Sequence, residues 1–334
     1  MGTLERATRL LEASGILGLA ARASRWRGVL VLAYHRVGDR STATGAQDVY
    51  SVTQDELDAQ LRLLAERFEL ISASEVDDAL HERRGRFAAI TFDDGYRDNY
   101  TAALPVLGAH GVRAAFFVCT EFIDRGGPAW WDEIASLVRA SPPIKLPAGR
   151  WLPAPVSLEG ADREAVAKTL AGLYKQLPGD RAPGLLEFLR ESTGSDSGNG
   201  SPSREEWMTW EMVRDLRDKG MEIGGHTVTH PVLARHPVSV QAGEILGCAG
   251  RLEQELGEPM RLFAYPVGRR DSFGPETREC LSQAGVRLAF SCYGGVPSRR
   301  RWDPLNVRRV PIGFGLGRRR FRRMLELPAL FSLR

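Results

Sequence analysis

Two adjacent acidic residues in this sequence are the first candidates for chemistry. Asp93 and Asp94 end the apolar run Phe87 to Phe92, and Gly95 follows them. Neighbouring carboxylates beside a buried strand repel each other unless a cation, a proton or strong donors compensate them. A metal ion is the simplest compensation. An ordinary solvated Asp-Gly turn is the alternative that these residues alone leave open.

A pair of histidines could complete a metal site. His226 and His230 follow a second strand-like piece, Met221 to Gly225. This spacing allows both imidazoles to bind one ion, and one carboxylate would make a third ligand. Three protein ligands leave a position open for water, which is typical of catalytic rather than structural sites.

Taken in this order, TFDDG (Thr91 to Gly95) and HTVTH (His226 to His230) resemble the polysaccharide deacetylase family, which shares the NodB-homology domain. The resemblance covers roughly residues 29–312. It implies a metal-dependent hydrolase that removes N-acetyl groups from an N-acetylated glycan, in exopolysaccharide or cell-surface polysaccharide metabolism. It also implies that Asp93 is the base.

The same resemblance implies that Asp94, His226 and His230 hold one divalent metal ion. Zinc is the expected metal from the ligand types, and cobalt, nickel and iron remain alternatives. Many relatives take their acid from a C-terminal histidine, but no histidine follows His236 here. His35, in the string YHRV, resembles instead the acid of the circularly permuted branch that includes poly-N-acetylglucosamine deacetylases. A core histidine bonded to a backbone carbonyl is the alternative for His35.

A third stretch, Ala264 to Gly268, departs from the pattern that many members of the family have. Many relatives have Arg-x-Pro-Tyr-Gly, whereas Ala264 to Gly268 reads AYPVG. Tyr265, Pro266 and Val267 are expected at the substrate and oxyanion, where a backbone N–H can donate whatever the side chain. The missing guanidinium must come from elsewhere, and Arg309 is our candidate to orient the base.

Aromatic residues near the same loops are candidate groove walls, because aromatic faces stack on sugar rings. Trp130, Trp131 and Trp210 are the candidates, with ordinary packing as the equal alternative for each.

The elements that must position these residues alternate between strands and helices. Gly28 to Tyr34 is an apolar run that suits a strand buried on both faces, and Thr53 with Glu56 forms a capping box before a helical pattern. This rhythm predicts βα units and a parallel sheet. His35, Asp93 and His226 each follow a strand, and in a parallel barrel those strand ends share one rim.

We therefore predict an α/β fold, a distorted (β/α) barrel of 7–8 parallel strands, TIM-barrel-like, in a single domain with an insertion. The domain is expected to span 28–316, with the insertion at 120–206. The insertion is expected to cover one side of the site and to have too few apolar residues for a core of its own. An amphipathic segment, 1–27, precedes the domain, and a basic tail, 317–334, follows it.

Composition limits the remaining possibilities. An apolar fraction of 43%, a charged fraction of 26% and a net charge of +3 are those of a globular protein. The four cysteines show no paired spacing and are interpreted as reduced core residues. Neither a convincing signal peptide nor a transmembrane span is found, which favours a cytoplasmic or membrane-peripheral location.

The C-terminal arginines suggest a weak contact with an anionic membrane surface, and a solvated end is the alternative. The expected partner is an N-acetylated oligo- or polysaccharide, not nucleic acid, for which no fold motif is found. Two other functions stay open. They are hydrolysis of a small cyclic amide or imide on the same barrel, and a catalytically impaired glycan-binding module. The oligomeric state is not indicated.

Overall fold

A computed structural model describes residues 26–43, 45–194 and 204–328. The predicted amphipathic segment 1–27 lies outside the described residues except for its last two positions. The end of the predicted tail, from residue 329, also lies outside them.

Thirteen short strands occur in the described part of the chain. In chain order they are β1 Gly28–Tyr34, β2 Arg36–Val37, β3 Tyr50–Val52, β4 Glu69–Leu70, β5 Arg86–Phe92, β6 Ala115–Val118, β7 Lys145–Leu146, β8 Val156–Ser157, β9 Glu222–Gly225, β10 Leu262–Ala264, β11 Leu288–Ser291, β12 Val307–Arg308 and β13 Val310–Pro311.

The main sheet is parallel throughout and curls almost into a ring. Its order is β12-β11-β10-β9-β6-β5-β1-β13, and β4 pairs with β5 beside β6. The two end strands are consecutive in the chain and are separated by Arg309 alone. Val307 pairs with Phe290 of β11, whereas Val310 pairs with Leu32 of β1. A single chain segment therefore joins both edges of the sheet, and the predicted distorted barrel is confirmed.

Helices connect the strands and cover the outside of the sheet. They are α1 Gln54–Ala65, α2 Val76–His81, α3 Leu104–Ala109, α4 Thr120–Arg125, α5 Trp130–Ala140, α6 Arg163–Tyr174, α7 Ala182–Thr193, α8 Trp210–Asp218, α9 Val238–Leu256, α10 Pro275–Gln283 and α11 Arg318–Glu326. The predicted capping box opens α1, where Thr53 accepts from the Glu56 N–H and Glu56 accepts from the Thr53 N–H. No described helix combines the length and the apolar character needed to cross a bilayer.

The core follows from the strand sequences. The residues from Val29 to Tyr34 on β1 are fully buried, as expected for a strand covered on both faces. One large apolar cluster lies between the sheet and the outer helices, and a second lies inside the barrel around Val31, Phe117 and Phe290. All four cysteines are free, as predicted, and Cys292 alone of them is only partly buried.

The apolar side chains of the insertion form one cluster together with residues of the barrel. Leu137 and Leu170 pack with Leu189 in this cluster, which α5, α6 and α7 build. Tyr96 from the loop after β5 belongs to the same cluster. The insertion is therefore packed onto the rim of the barrel.

The C-terminal basic run is helical where the structure describes it. In α11, Phe321, Met324 and Leu325 are buried while Arg318 and Arg322 are exposed. A solvated tail is therefore wrong for this part of the chain, because three apolar side chains at helical spacing anchor it to the core.

Candidate active site

The residues singled out from the sequence meet at the rim formed by the carboxyl ends of the strands. His35 follows β1, Asp93 and Asp94 follow β5, and His226 follows β9. Asp94, His226 and His230 each offer one donor atom within 4.8 Å of the others. All three are buried, as is Asp93. Parallel strands bring them together although more than a hundred residues separate them in sequence.

The two histidines face one oxygen of Asp94. His226 Nε2 lies 3.4 Å and His230 Nε2 3.5 Å from Asp94 Oδ1. His226 Nδ1 lies 2.7 Å from the backbone oxygen of Ala264, which can only accept. Nδ1 therefore carries the proton and Nε2 presents its lone pair towards Asp94. The Thr227 hydroxyl accepts from the His230 N–H and fixes the second ligand.

The donor set fits a divalent metal ion. Asp94 Oδ1 and His230 Nδ1 are buried and have no hydrogen-bond partner in the described part of the chain. A buried carboxylate oxygen without a donor is costly unless a cation satisfies it. Two imidazoles and one carboxylate are the ligands that zinc and similar ions accept at open catalytic sites.

Backbone strain is concentrated at this site. Four residues other than glycine have positive φ among those described, and they are Asp94 at 76°, Thr227 at 70°, His230 at 60° and Val267 at 63°. This region costs energy for residues with a Cβ. All four belong to the motifs singled out for chemistry, so the surrounding fold holds the site in a conformation that the isolated loops would not favour.

Burial and the neighbouring charges oppose each other in setting the protonation states. Burial raises the pKa of Asp94, but the imidazoles of His226, His35 and His230 beside it lower the pKa to well below its usual range. Burial, together with the nearby His226, lowers the pKa of His230 to about 3. His230 is therefore neutral at neutral pH, which is the form that binds metal.

Asp93 is held by a bidentate pair with Arg309. Arg309 donates from Nη1 to Asp93 Oδ1 over 2.6 Å and from Nη2 to Oδ2 over 2.7 Å. Arg309 is fully buried and also donates to Thr91 and to the backbone of Ser291. Burial raises the pKa of Asp93, and the guanidinium outweighs it, so the net shift is downwards. The guanidinium missing at Ala264 is thus present on the segment that joins the edges of the sheet.

His35 lies on the open side of Asp93. Its Nε2 is 4.0 Å from Asp93 Oδ2, and its side chain is 30% exposed. The His35 N–H donates to the Ser51 hydroxyl, and Asn99 Nδ2 donates to the His35 carbonyl over 2.7 Å. The alternative of a buried core histidine is therefore wrong.

Sequence reasoning missed the residues that support His35. Arg36 is buried between the rings of Tyr50 and Tyr96 and bonds to Asp98, which accepts from the Val37 N–H. The adjacent His35 and Arg36 at the end of β1 were the available signal in the sequence. That signal does not indicate that Asp98 is the partner of Arg36.

The turn after β10 presents a free donor at Val267. The Val267 N–H has no acceptor among the described residues, and its side chain is partly exposed. Gly268 has φ 61°, and a Cβ there would lie 2.6 Å from the Cys292 nitrogen, so only glycine lets the two loops touch.

Tyr265, expected at the substrate and oxyanion, directs its side chain into the core. Its ring stacks on Phe273 with centroids 3.8 Å apart, and its hydroxyl donates to the Leu305 carbonyl. Pro266 precedes the free donor and is itself buried. Residues 265 and 267 would share one face of a strand, but the positive φ of Val267, 63°, breaks that alternation, and Val267 lines a cavity while the Tyr265 ring lies in the core.

The tryptophans are not exposed groove walls. Trp210 is a core residue in α8 whose indole N–H donates to Asp124 and whose ring lies under Arg251, so its expected role in substrate binding is wrong. Trp131 lies edge-on to His230 with ring centroids 4.5 Å apart. Trp130 donates to the His230 carbonyl. Trp131 and Trp130 are buried and pack behind the second histidine of the site.

A buried carboxyl behind Trp131 also escaped the sequence analysis. Asp132 accepts from the Tyr96 hydroxyl and from the Ala46 N–H, each over 2.7 Å, and Tyr96 accepts from the Trp131 indole. Burial raises the pKa of Asp132 to about 6. Its position in the amphipathic pattern of α5 gave no sign that it faces inwards.

A parallel barrel whose rim holds three buried side chains able to bind a metal ion, beside a carboxylate paired with arginine, is an arrangement suited to metal-dependent hydrolysis. A family model described as polysaccharide deacetylase matches residues 81–145 and 188–289, half of the chain. The chain belongs to the polysaccharide deacetylase family, whose members are hydrolases acting on N-acetyl amide bonds. The unmatched residues between the two ranges lie in the insertion.

Solved structures share the fold at low sequence identity. The deacetylase PplD of Streptococcus pyogenes in complex with acetate is 18% identical, covers 87% of this chain and 95% of its own, with a TM-score of 0.56. IcaB from Ammonifex degensii is 20% identical, with coverages of 92% and 98% and a TM-score of 0.56. A de-N-acetylase from Aggregatibacter actinomycetemcomitans is 16% identical, with coverages of 89% and 99% and the same score. No curated protein matches the chain at a significant level.

Proposed function

We propose that this protein hydrolyses the acetamide groups of an N-acetylated glycan at the Asp93–Asp94–His226–His230 site, releasing acetate. The observation that carries the proposal is the buried set of three possible metal ligands, Asp94, His226 and His230. The Asp93 carboxylate, which Arg309 holds, lies directly beside them. Family membership supports the reaction class. The similar structures described as a deacetylase with acetate and as a de-N-acetylase support the same chemistry.

Asp94, His226 and His230 would hold one divalent ion, with zinc the best match to their donor types. When bound, such an ion polarises the acetamide carbonyl and lowers the pKa of water. The tautomer of His226 is already set by the Ala264 carbonyl, so the site needs little rearrangement to accept the ion.

Asp93 acts as the base. It takes a proton from the water that attacks the acetamide carbonyl carbon, while both of its oxygens keep their bonds to Arg309. The guanidinium holds the carboxylate in the ionised form and fixes its orientation. The Val267 N–H is free to donate to the oxyanion that forms on the carbonyl oxygen.

His35 acts as the acid. It donates a proton to the amine nitrogen as the carbon–nitrogen bond breaks, which yields acetate and the free amine of the sugar. Its partly exposed ring, 4.0 Å from Asp93, lies where the leaving group can reach it. Ser51 and Asn99 hold the backbone of His35 on both sides of the ring.

The test is acetate release from neutral N-acetylglucosamine oligomers by protein stripped of metal and then reloaded with zinc. Activity should depend on the metal, and Asp93→Asn should lower kcat by a factor of about 10³ while bound metal stays near one per chain. Asp55→Asn, at an exposed position of α1, is the matched control. Release of ammonia or ring-opened product from cyclic amides, without acetate release from any glycan, would show that the small-amide alternative is correct.

A further inference from the structure

A cavity of about 620 Å³ opens on the same rim as the candidate active site, among the loops after the last strands. We call it the cationic cleft and define it by Arg269, Arg270, Tyr293, Phe314 and Arg320. It lies between the loops that follow β10, β11 and β13, and α11 closes its outer side. Its volume is in the range of sites that bind small ligands or a few sugar units.

The cleft shares its inner wall with the catalytic turn. Cys292, in that wall, donates its N–H to the Gly268 carbonyl over 2.8 Å, one residue after Val267. Gly294, also in the wall, donates to the Arg309 carbonyl over 3.0 Å. The loop from Cys292 to Gly294 therefore lines the cleft on one side and bonds to the backbone of Gly268 and Arg309 on the other.

A smaller cavity of about 310 Å³ adjoins the cleft. It is lined by Val267 together with Lys175 and Arg235, and it shares Arg269 and Asp271 with the cleft. Lys175 comes from the insertion, and its Nζ lies 5.5 Å from the ring centre of Trp130. The two cavities thus lie side by side along one path, and Val267 lines the smaller of them.

Charge along this path is strongly positive. Asp271 is its only acidic lining residue among those described, and it pairs with Arg235 over 3.0 Å. Arg270 and Arg320 have no acidic partner within the described residues. Guanidinium groups without a partner beside a cavity attract carboxylate or phosphate oxygens, which they can bind through two hydrogen bonds.

Aromatic rings lie beside these cations. The Arg270 guanidinium carbon is 5.0 Å from the Tyr293 ring centre, and that of Arg40 is 4.7 Å from the Phe314 ring centre. Tyr293 is held by a hydrogen bond from its hydroxyl to Asn306. These rings hold the guanidinium groups at the edge of the cavity, and guanidinium groups held there suit a saccharide that carries a negative charge.

Resting on the proposed function, we propose that the substrate glycan is acidic, and that the cationic cleft binds a carboxylate or phosphate on a sugar unit neighbouring the one that is deacetylated. A homopolymer of N-acetylglucosamine offers no anion. Its deacetylated product gains ammonium groups, which the arginines would repel. An acidic glycan is attracted both before and after the reaction.

The experiment compares matched oligosaccharides with the zinc-loaded full chain. One contains alternating N-acetylglucosamine and glucuronate, its control is the same oligosaccharide with the carboxyls reduced to alcohols, and a third arm carries phosphodiesters. At low salt, KM for acetate release should be at least about tenfold lower for an acidic substrate than for the reduced one. The arm with the larger effect identifies the anion. Added salt should shrink the difference.

The variant R270Q/R320Q tests the cleft itself. It should raise KM for the acidic substrate about tenfold or more and leave kcat and the reduced substrate unchanged. R319Q/R322Q is the matched control, since it removes the same charge from α11 at exposed positions that do not line the cleft. Equal losses in both double variants would overturn the proposal, because overall charge would then explain them.

Two other outcomes would also overturn it. Equal KM values for the acidic and the reduced oligosaccharides would show that the enzyme does not prefer an acidic glycan. Acetate release from both would still support the proposed function. Loss of binding to vesicles of anionic phospholipid in R270Q/R320Q, without a change in KM, would assign the cleft to a membrane surface. If no substrate releases acetate, the proposed function fails. Calorimetric measurement of the affinity for the acidic and the reduced oligosaccharides then tests separately whether the cleft binds an acidic saccharide.

Discussion

Arg309 and Asp93 form a bidentate pair across 216 residues of sequence, and the arginine sits at the single residue that separates β12 from β13. The segment that joins the two edges of the barrel therefore also orients the candidate base. Because the guanidinium is fully buried, it cannot move without disturbing the strand pairing on either side. The geometry of the fold and that of the base are coupled through one side chain.

Replacing Arg309 by lysine should slow catalysis without weakening substrate binding. Lysine keeps the charge but cannot form the two parallel hydrogen bonds, so Asp93 loses its fixed orientation. We expect kcat to fall about 10- to 100-fold with KM nearly unchanged, measured by acetate release. Arg308→Lys is the control, because that guanidinium stacks on Tyr293 instead. Unchanged kcat with reduced thermal stability would mean that Arg309 only supports the fold.

Replacing His35 by glutamine should remove the acid and spare the metal. We expect kcat to fall about 10²- to 10⁴-fold, with bound metal measured by elemental analysis still near one per chain. His110→Gln is the control, since that imidazole pairs with Asp58 away from the site. A loss of metal from the His35 variant would instead identify His35 as a ligand.

Zinc should stabilise the protein through Asp94. An ion that binds only the folded state at a hundred times its Kd adds about 2.7 kcal/mol to the free energy of unfolding, so Tm should rise by a few degrees and fall again with chelator. Asp94→Asn should abolish this shift, and His81→Ala, on the surface of α2, should keep it. A zinc-dependent Tm that persists in Asp94→Asn would place the ion elsewhere.

Stability should also depend on pH through Asp132. Its pKa of about 6 is above the value of an unfolded aspartate, so the folded state binds more protons and loses stability as pH rises from about 4 through 6. Full ionisation costs on the order of 3 kcal/mol. Asp132→Asn removes this loss.

The measurement is urea unfolding of both metal-free proteins between pH 4.5 and 7.5. The wild type should lose stability relative to Asp132→Asn across this range. Asp93 and Asp94 are present in both proteins, so their contributions cancel in the difference. Asp78→Asn, an exposed position on α2, controls for the removal of a surface charge. A constant difference between wild type and Asp132→Asn would show that Asp132 does not titrate there.

The sequence determined the strands and the chemistry at their ends. Apolar runs such as Gly28–Tyr34 stop at polar residues, and burial on both faces requires a parallel sheet whose strand ends share a rim. Those local rules were enough to bring Asp94 together with His226 and His230. Arg309 was named as a candidate partner of the base because the guanidinium expected at Ala264 is missing, although Arg308 and other arginines lie close to it in the sequence.

Only the tertiary structure decided which way the loop side chains turn. Tyr265 and Trp210 face the core, Lys175 reaches the rim from the insertion, and Asp132 is buried behind Trp131. Periodicity describes which face of an element is buried, but the orientation of a residue beyond the element depends on distant neighbours that fill the space around it. The cationic cleft also could not be predicted from the sequence, since its arginines come from separate loops and a helix that meet only in the folded chain.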